Sequence, residues 1–298
     1  MEYYVDHRDD KFYIITNGDG KNYRVMTAPE SDQETKTGKH LLETKQRCFD
    51  HHKVRITVSS PIIPARVLEY NMETKSMVDK HSFSDLPSFD SSEFCCTRHE
   101  IQSKDGTHIP VTLFHHKDLK KDGNNPMLLH VYGSYGINVS MGFDVERISL
   151  LKRGWCLAFC HVRGGGELGR QWYLEGKLQS KHKGFEDFEA CTQALHHMGY
   201  SNPQLTAARG TNILTSMLDP SLPLTVQEYE EWGEPRSSES DFDYIKSYCP
   251  YQNIKDQPYP SVMVTSAMND DRVPYWLPLK WVARLRDHLS SQEHGTSH

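Results

Sequence analysis

The stretch Pro126-Met127-Leu128-Leu129-His130-Val131-Tyr132-Gly133-Ser134-Tyr135-Gly136 decides the fold of this 298-residue chain. Its first half is a short apolar run after a proline, which predicts a buried strand, and its second half is a glycine-containing loop. A second apolar run over residues 154–159 predicts another strand, and residues 145–152 between the two runs are predicted to be helical. Strands that alternate with helices predict an α/β fold with a mostly parallel sheet and helices on both faces.

Further elements flank this stretch on both sides. Two alternating runs, residues 96–101 and 109–114, surround Asp105-Gly106, a pair that predicts a hairpin turn. Downstream, residues 184–198 are predicted to form a helix from apolar residues at helical spacing, namely Phe185, Phe188, Cys191, Leu195 and Met198.

The C-terminal third contains three more predicted elements. Thr225-Val226-Gln227-Glu228 is a capping-box pattern and predicts a helix that opens there and runs through Trp232. Residues 259–266 are predicted to form a strand, with Val262 and Val264 apolar, and residues 279–289 a last helix.

Residues 1–95 have the pattern of an all-β region. Strands are predicted over residues 12–16, 53–58 and 65–70, with a turn at Asn17-Gly18-Asp19-Gly20 and a polar loop over residues 29–45. A region of this length holds about two four-stranded propeller blades, too few to close a ring. We therefore divide the chain into a β-rich region, 1–95, and an α/β domain, 96–298.

Composition narrows the class of protein. The net charge of −6 gives no sign of a nucleic-acid-binding surface, and no window is apolar enough to span a membrane. The polar start Met1-Glu2-Tyr3-Tyr4-Val5-Asp6 is unlike a signal peptide, and seven cysteines without regular spacing fit reduced thiols, so we expect a cytoplasmic protein. Cys156 and Cys160 are expected to be buried as small hydrophobic residues.

Three segments, in order, resemble the prolyl oligopeptidase family of serine hydrolases, and most of all its prolyl endopeptidase-like branch. They are Tyr132-Gly133-Ser134-Tyr135-Gly136; Arg163-Gly164-Gly165-Gly166-Glu167-Leu168-Gly169 with Phe185-Glu186-Asp187-Phe188; and Asn269-Asp270-Asp271-Arg272-Val273-Pro274. The resemblance covers about residues 94–289 and implies an α/β-hydrolase fold, preceded by part of the family's β-propeller. It also implies hydrolysis of peptide or ester bonds without a cofactor.

The resemblance assigns roles to three residues. Tyr132 corresponds to the family's oxyanion donor, Asp270 to the acid of the catalytic triad, and Arg272 to the arginine that binds a substrate carbonyl. The residues alone leave plainer interpretations open: a tyrosine at a strand end with its hydroxyl in water, and a solvated acidic turn with Arg272 in a surface ion pair.

Two other kinds of site deserve comparison. Residues 164–169 match Gly-x-Gly-x-x-Gly, but no clean helical stripe follows, so we interpret the glycines as permitting tight turns rather than binding a dinucleotide. The pairs His51-His52, His115-His116 and His196-His197 come without zinc-site spacing, so we predict surface histidines and no metal.

The chain departs from the family where the nucleophile belongs. The strand predicted at residues 204–208 leads into Arg209-Gly210-Thr211-Asn212-Ile213, and no Gly-x-Ser-x-Gly occurs anywhere in the sequence. About one helix and one strand, on the order of thirty residues, are missing near 209–213. The chain also ends before the position of the family's histidine, and His294 is interpreted as part of the tail, so we expect a C-terminal truncation.

Three hypotheses follow. The first is a family member that is catalytically inactive because it lacks the serine and the histidine of the triad. The second is a non-catalytic protein-interaction module on the hydrolase scaffold. The third is residual catalysis with Ser134 or Thr211 as a substitute nucleophile. The shortened pattern is typical of an alternatively spliced product or of an error in the gene model, and the missing strand would leave exposed sheet edges.

Overall fold

A computed structural model describes residues 3–8, 11–16, 24–29, 35–36, 53–71, 73–82, 89–209, 215–270 and 273–295. The chain forms two compact units, the first comprising residues 1–176 and 183–210 and the second residues 177–182 and 211–298. No helix in the described part of the chain is both long and apolar enough to cross a membrane.

The strands of the described residues all lie in the first unit. In chain order they are β1 Tyr3–Arg8, β2 Lys11–Thr16, β3 Arg24–Pro29, β4 Thr35–Lys36, β5 Lys53–Ser60, β6 Ile63–Asn71, β7 Ser76–Ser82, β8 Phe94–Gln102, β9 His108–His116, β10 Met127–Val131, β11 Cys156–Cys160 and β12 Thr206–Arg209.

The helices are shared between the two units. They are α1 Val145–Leu151, α2 Arg170–Leu174, α3 His182–His197, α4 Tyr229–Trp232, α5 Glu239–Tyr248 and α6 Trp276–Gly295. Short 3-10 helices cover Ser91–Glu93, Leu178–Ser180, Pro203–Leu205 and Thr215–Leu218.

The first 82 residues contain two antiparallel sheets. One has the order β1-β2-β3-β4 and the other β5-β6-β7. The strands predicted over residues 12–16, 53–58 and 65–70 correspond to β2, β5 and β6 and are confirmed. The loop predicted over residues 29–45 contains β4, and the turn predicted at residues 17–20 lies outside the described residues.

A five-stranded mixed sheet forms the centre of the first unit, in the order β12-β10-β11-β9-β8. β10 is parallel to both β11 and β12, while β9 is antiparallel to β11 and to β8. The predicted hairpin is confirmed, since the Ser103 amide bonds to the Thr107 carbonyl at 2.8 Å across the Asp-Gly turn. Because this hairpin supplies two strands, the sheet is less parallel than the sequence predicts.

Both faces of this sheet are covered, as the sequence predicts. Every residue of β11 is buried, and its side chains alternate between two cores. Ala158 packs with Cys191 and Leu195 of α3, whereas Leu157 packs with Ile148 of α1. An all-apolar strand of this kind is stable only between two layers, which explains the continuous apolar run. Cys156 and Cys160 are fully buried, as expected.

The buried face of α3 differs from the predicted one. Gly184, Asp187, Cys191 and Leu195 are buried, whereas Phe185 is 43% exposed and Met198 40% exposed. The predicted apolar stripe was therefore wrong at its two ends, and a charged residue, Asp187, occupies a core position. A buried carboxylate needs a cationic partner, which the first unit provides.

The second unit has its own small core. Met217, Trp232, Ile245 and Cys249 are buried together between α4 and α5. The helix predicted from Thr225 is wrong in its start, because α4 begins at Tyr229 with Glu228 at its N-cap. The last helix is confirmed but longer than predicted, and His294 lies within α6.

The strand predicted over residues 259–266 is wrong. This segment has no regular secondary structure, and every residue from 260 to 270 is exposed, including Met263 at 88%. An apolar extended segment becomes a buried strand only when neighbouring strands accept its hydrogen bonds. None of the described strands pairs with it.

Candidate functional site

Two glycine-rich loops lie at the same end of the five-stranded sheet. The first, residues 132–136, follows β10, and the second, residues 161–169, follows β11. β10 and β11 are parallel neighbours, with Val131 opposite Cys160, so their carboxyl ends emerge side by side. Open α/β sheets bind their ligands outside the carboxyl ends of their strands.

The loops are packed backbone against backbone. The Gly136 amide donates to the Gly164 carbonyl at 3.0 Å. Gly164 has φ of +93°, and a Cβ there would lie 2.3 Å from the Gly133 carbonyl oxygen. Only glycine fits this position, because both the left-handed backbone and the close approach exclude a side chain. The glycines thus shape the loop that carries Tyr132.

Tyr132 is the first residue after β10 and is half-buried. Its ring lies 6.4 Å from the ring of Tyr135, a residue held at φ of +58°. Ser134, the proposed substitute nucleophile, is 8% exposed, and its carbonyl accepts from the Ile137 amide at 3.1 Å. Ser134 therefore sits in a turn of the loop and not on a strand-to-helix elbow.

The buried side chain of Arg163 holds the second loop in place. This side chain is 1% exposed and donates to both carboxylate oxygens of Asp187 on α3, through Nη2 at 2.6 Å and Nε at 2.9 Å. Its Nη1 also donates to Asp105 of the β8–β9 turn, at 2.5 Å. One buried guanidinium thus ties the loop to a helix and to a hairpin.

The ionisation of this network follows from its hydrogen bonds. The bond from Arg163 holds the pKa of Asp105 well below its usual range, helped by Thr107. Burial alone would lower the pKa of Arg163, but the bonds to Asp187 and Asp105 outweigh it and raise the pKa. Asp105 and Arg163 are therefore charged near neutral pH.

A second buried pair ties the same loop to Val139, three residues after the Tyr132 loop. Oε1 of Glu167 accepts from the Val139 amide at 2.8 Å and lies 3.3 Å from Nδ1 of His161. Nε2 of His161 is 2.9 Å from the Thr112 hydroxyl on β9. Glu167 and His161 are nearly inaccessible to solvent, so this contact fixes loop geometry.

The second loop lacks the features of a dinucleotide site. Its amides at Gly164, Gly165 and Gly169 already donate to protein carbonyls, those of Trp172, Val162 and Gly166. The helix that follows, α2, has five residues, and its Trp172 donates to the carbonyls of residues 161 and 162. A phosphate-binding loop instead leaves its amides free at the start of a long helix.

The histidine pairs do not behave alike. His115 is 6% exposed, so the prediction of a surface histidine was wrong for this residue. His197 is exposed, His196 is half-buried against the Thr206 hydroxyl, and His51-His52 lie outside the described residues. Within the described ranges, no three His, Cys, Asp or Glu side chains are grouped to hold a metal ion.

Asp270 lies in the second unit, in an exposed turn. Its amide bonds to the Ala267 carbonyl at 3.2 Å, and its Oδ1 accepts from the Val273 amide at 2.9 Å. The turn connects the irregular segment 259–266 to α6. Arg272, the predicted substrate-binding residue, lies outside the described residues, as does Thr211.

The sequence predicts that a nucleophile elbow, if present, would follow β12. β12 is the outermost strand described on its side of the sheet and pairs only with β10 among the described strands. The chain then passes through residues 210–214, outside the described part, to the 3-10 helix Thr215–Leu218. Both the interval and the element after it are too short for an elbow with its own helix.

The Arg163–Asp187–Asp105 network is the part of the site that sequence reasoning missed. Two signals could have found it: Asp187 falls on the buried face of a helix, and Arg163 comes three residues after the end of a fully apolar strand. Charged residues in such positions must find partners, and the two form a pair.

Comparison with known proteins identifies relatives of this chain. A sequence model described as the prolyl oligopeptidase family matches residues 141–213 and 211–296, about half of the chain. A prolyl endopeptidase-like protein of Xenopus laevis is 40% identical over 275 residues, covering 82% of this chain and 38% of that relative. The prolyl endopeptidase-like protein of Homo sapiens is 33% identical over 374 residues, covering 99% of this chain and 51% of the relative.

Solved structures agree with the sequence relatives. Oligopeptidase B from Leishmania major superposes with a TM-score of 0.80 at 28% identity, covering 96% of this chain and 46% of that one. The chain thus spans about half or less of the length of the relatives it matches. The glycine loops, the mixed sheet and these matches agree, and the chain belongs to the prolyl oligopeptidase family.

Proposed function

We propose that this chain carries the scaffold of a family peptidase or esterase but does not itself hydrolyse peptide or ester bonds. The observation that carries the proposal is the sequence after β12. Residues 209–213 stand where the nucleophile elbow is expected, and no Gly-x-Ser-x-Gly occurs in the chain. Loss of the nucleophile from a triad lowers the rate by several orders of magnitude.

Three further observations support an internal shortening of the chain. The family model matches in two blocks that meet at residues 211–213. The alignment with the human relative is 374 residues long, more than the 298 of the chain, so that relative has residues without a counterpart here. The unpaired segment 259–266 has the exposure expected of a strand whose neighbour is missing.

In this proposal the remaining site residues are inherited. Tyr132 is the former oxyanion donor, Asp270 the former triad acid, and Arg272 the former ligand of a substrate carbonyl. The N-terminal sheets are a remnant of a propeller, and the consecutive antiparallel order β1-β2-β3-β4 is that of one blade.

The test is covalent labelling with a fluorophosphonate, combined with hydrolysis of a small ester and of a peptide. We expect no label above that of the heat-denatured chain and no hydrolysis above buffer, while an active serine hydrolase is labelled in parallel. Label at a single serine in the folded chain would overturn the proposal. Ser134→Ala then decides whether that serine is Ser134.

A specific observation favours a second candidate, a protein-binding role. Met263 and Met268 are 88% and 73% exposed in a segment that also exposes Val262 and Val264. Contiguous exposed apolar side chains are typical of interaction sites. Cross-linking to bound proteins, followed by mass spectrometry, should identify contacts in residues 259–268. The double variant Met263→Glu/Met268→Glu should abolish these contacts. Met77→Glu, at a 51% exposed residue in β7, is the matched control and should leave them intact.

A further inference from the structure

A thiol and an imidazole face each other across the β8–β9 hairpin, away from the glycine loops. The antiparallel register pairs Cys95 with His115, so both side chains lie on the same face of the sheet. The Cys95 Sγ is 3.5 Å from both ring nitrogens of His115. Cys96 is paired with Phe114 and points to the other face.

The hydrogen bonds of His115 fix which nitrogen can accept a proton. Its Nδ1 lies 2.7 Å from the carbonyl oxygen of His116. A carbonyl only accepts, so Nδ1 carries the hydrogen, and in the neutral ring Nε2 keeps a free lone pair. The Cys95 thiol therefore has a base within reach, besides a weaker acceptor, the His115 carbonyl at 3.7 Å.

The surroundings of His115 include an aromatic ring and a positively charged side chain. The Tyr200 ring lies 5.7 Å from the His115 ring, and Lys121 Nζ is 4.6 Å above the Tyr200 ring. Burial, together with the charges of Lys121 and His115, lowers the pKa of His99 on the same face of β8. The Lys121 ammonium therefore acts electrostatically on this face of β8.

The other described cysteines differ from Cys95 in access or in partner. Cys156, Cys160, Cys191 and Cys249 are buried. Cys96 is exposed, but desolvation of its sulfur and the neighbouring Cys95 raise its pKa to about 11. Cys95 is half-buried, and its sulfur lies beside the His115 ring.

We propose that Cys95 is a thiol–disulfide exchange site that takes up low-molecular-weight disulfides, with His115 as its proton acceptor. Nε2 of His115 takes the thiol proton, and the Cys95 sulfur attacks one sulfur of the incoming disulfide. The S–S bond of the reagent breaks, a new S–S bond to Cys95 forms, and the departing thiolate takes the proton back from the imidazolium. The products are a mixed disulfide on Cys95 and one free small thiol.

The test uses the full chain, oxidised glutathione and mass spectrometry that fragments the peptide between Cys95 and Cys96. The rate of adduct formation at each cysteine is divided by its rate in the guanidinium-unfolded chain. We expect this normalised rate to be roughly tenfold higher for Cys95 than for Cys96. Equal or slower reaction of Cys95 in the native chain overturns the proposal, and this comparison needs no variant.

The role of His115 is tested with His115→Gln against His116→Gln. We expect His115→Gln to slow Cys95 by about tenfold and His116→Gln to change it less than about twofold, because the hydrogen bond of His116 with His115 is made by its backbone carbonyl. Far-ultraviolet circular dichroism verifies that both variants are folded. Equal rates in two folded variants remove His115 from the site.

Discussion

Arg163 and Asp187 are joined by three hydrogen bonds, from Nη2, from Nε and from the Arg163 backbone amide at 3.1 Å. Asp187 is 0% exposed and also accepts from the Ser103 hydroxyl at 2.6 Å. The pair holds the start of the glycine loop after β11 against α3, which places this loop against the loop that carries Tyr132. Because both charges are out of water, each depends on the other.

Removing the charge of Asp187 should therefore destabilise the first unit strongly. Asp187→Asn leaves the Arg163 guanidinium buried with only Asp105, and we expect a loss of about 3 to 5 kcal/mol in the free energy of unfolding. Urea denaturation measures the loss. Glu189→Gln is the matched control two residues along α3, since Glu189 pairs with Lys104 in an exposed bridge and should cost less than about 1 kcal/mol. Similar losses in both variants would contradict the argument.

The depressed pKa of Asp105 predicts an acid-sensitive contribution to stability. The native state binds the Asp105 proton more weakly than the unfolded chain, whose pKa is about 3.9. The stabilisation is therefore complete above that value and is lost as the pH falls below it toward the folded pKa. In Asp105→Asn the free energy of unfolding should fall less steeply between about pH 5 and pH 2. Parallel pH profiles for the two proteins would show that the Arg163 bond does not depress this pKa.

Two glycine-to-alanine variants separate the energetic cost of the close approach between the glycine loops from the cost of backbone strain. Gly164→Ala combines a left-handed backbone with a Cβ 2.3 Å from the Gly133 carbonyl. Gly154→Ala is the matched control, since Gly154 has φ of +81° and no atom within 4 Å of the added Cβ. We expect about 1 to 2 kcal/mol for the control and about 1 to 3 kcal/mol more for Gly164→Ala, measured by urea denaturation. Equal costs would mean that the loops separate to admit the methyl group.

The sheet and its covering helices followed from local pattern. Apolar runs at β10 and β11 and the Asp-Gly turn between β8 and β9 carry their structure in adjacent residues, which explains why these predictions hold. Residues 259–266 have the sequence pattern of a strand, but no described strand pairs with them. Pairing depends on the neighbouring strands of the sheet and not on the segment alone. Pattern alone therefore failed there.

The candidate site also has parts that could be predicted from the sequence and parts that could not. The two glycine loops could be identified by motif, and their order along the chain placed them at the ends of neighbouring strands. The contact between Arg163 and Asp187 joins residues 24 positions apart. The motif contains both residues but does not indicate that they form a pair. Such a pair becomes visible only once the helical face of α3 is known, because Asp187 replaces an apolar residue on that face.

The exposure of residues 259–268 gives a prediction that separates an unpaired segment from a strand. Hydrogen peroxide oxidises accessible methionines faster than buried ones. Met263 and Met268 should react roughly tenfold faster than Met127 and Met217, which are fully buried in the two units. Peptide mass spectrometry gives the four rates in one sample, and the guanidinium-unfolded chain supplies the reference at which they converge. If residues 259–266 did pair as a buried strand, Met263 would be protected to the level of Met127, while Met268, beyond the strand, would stay reactive. The ratio of the Met263 and Met268 rates therefore decides whether residues 259–266 form a buried strand.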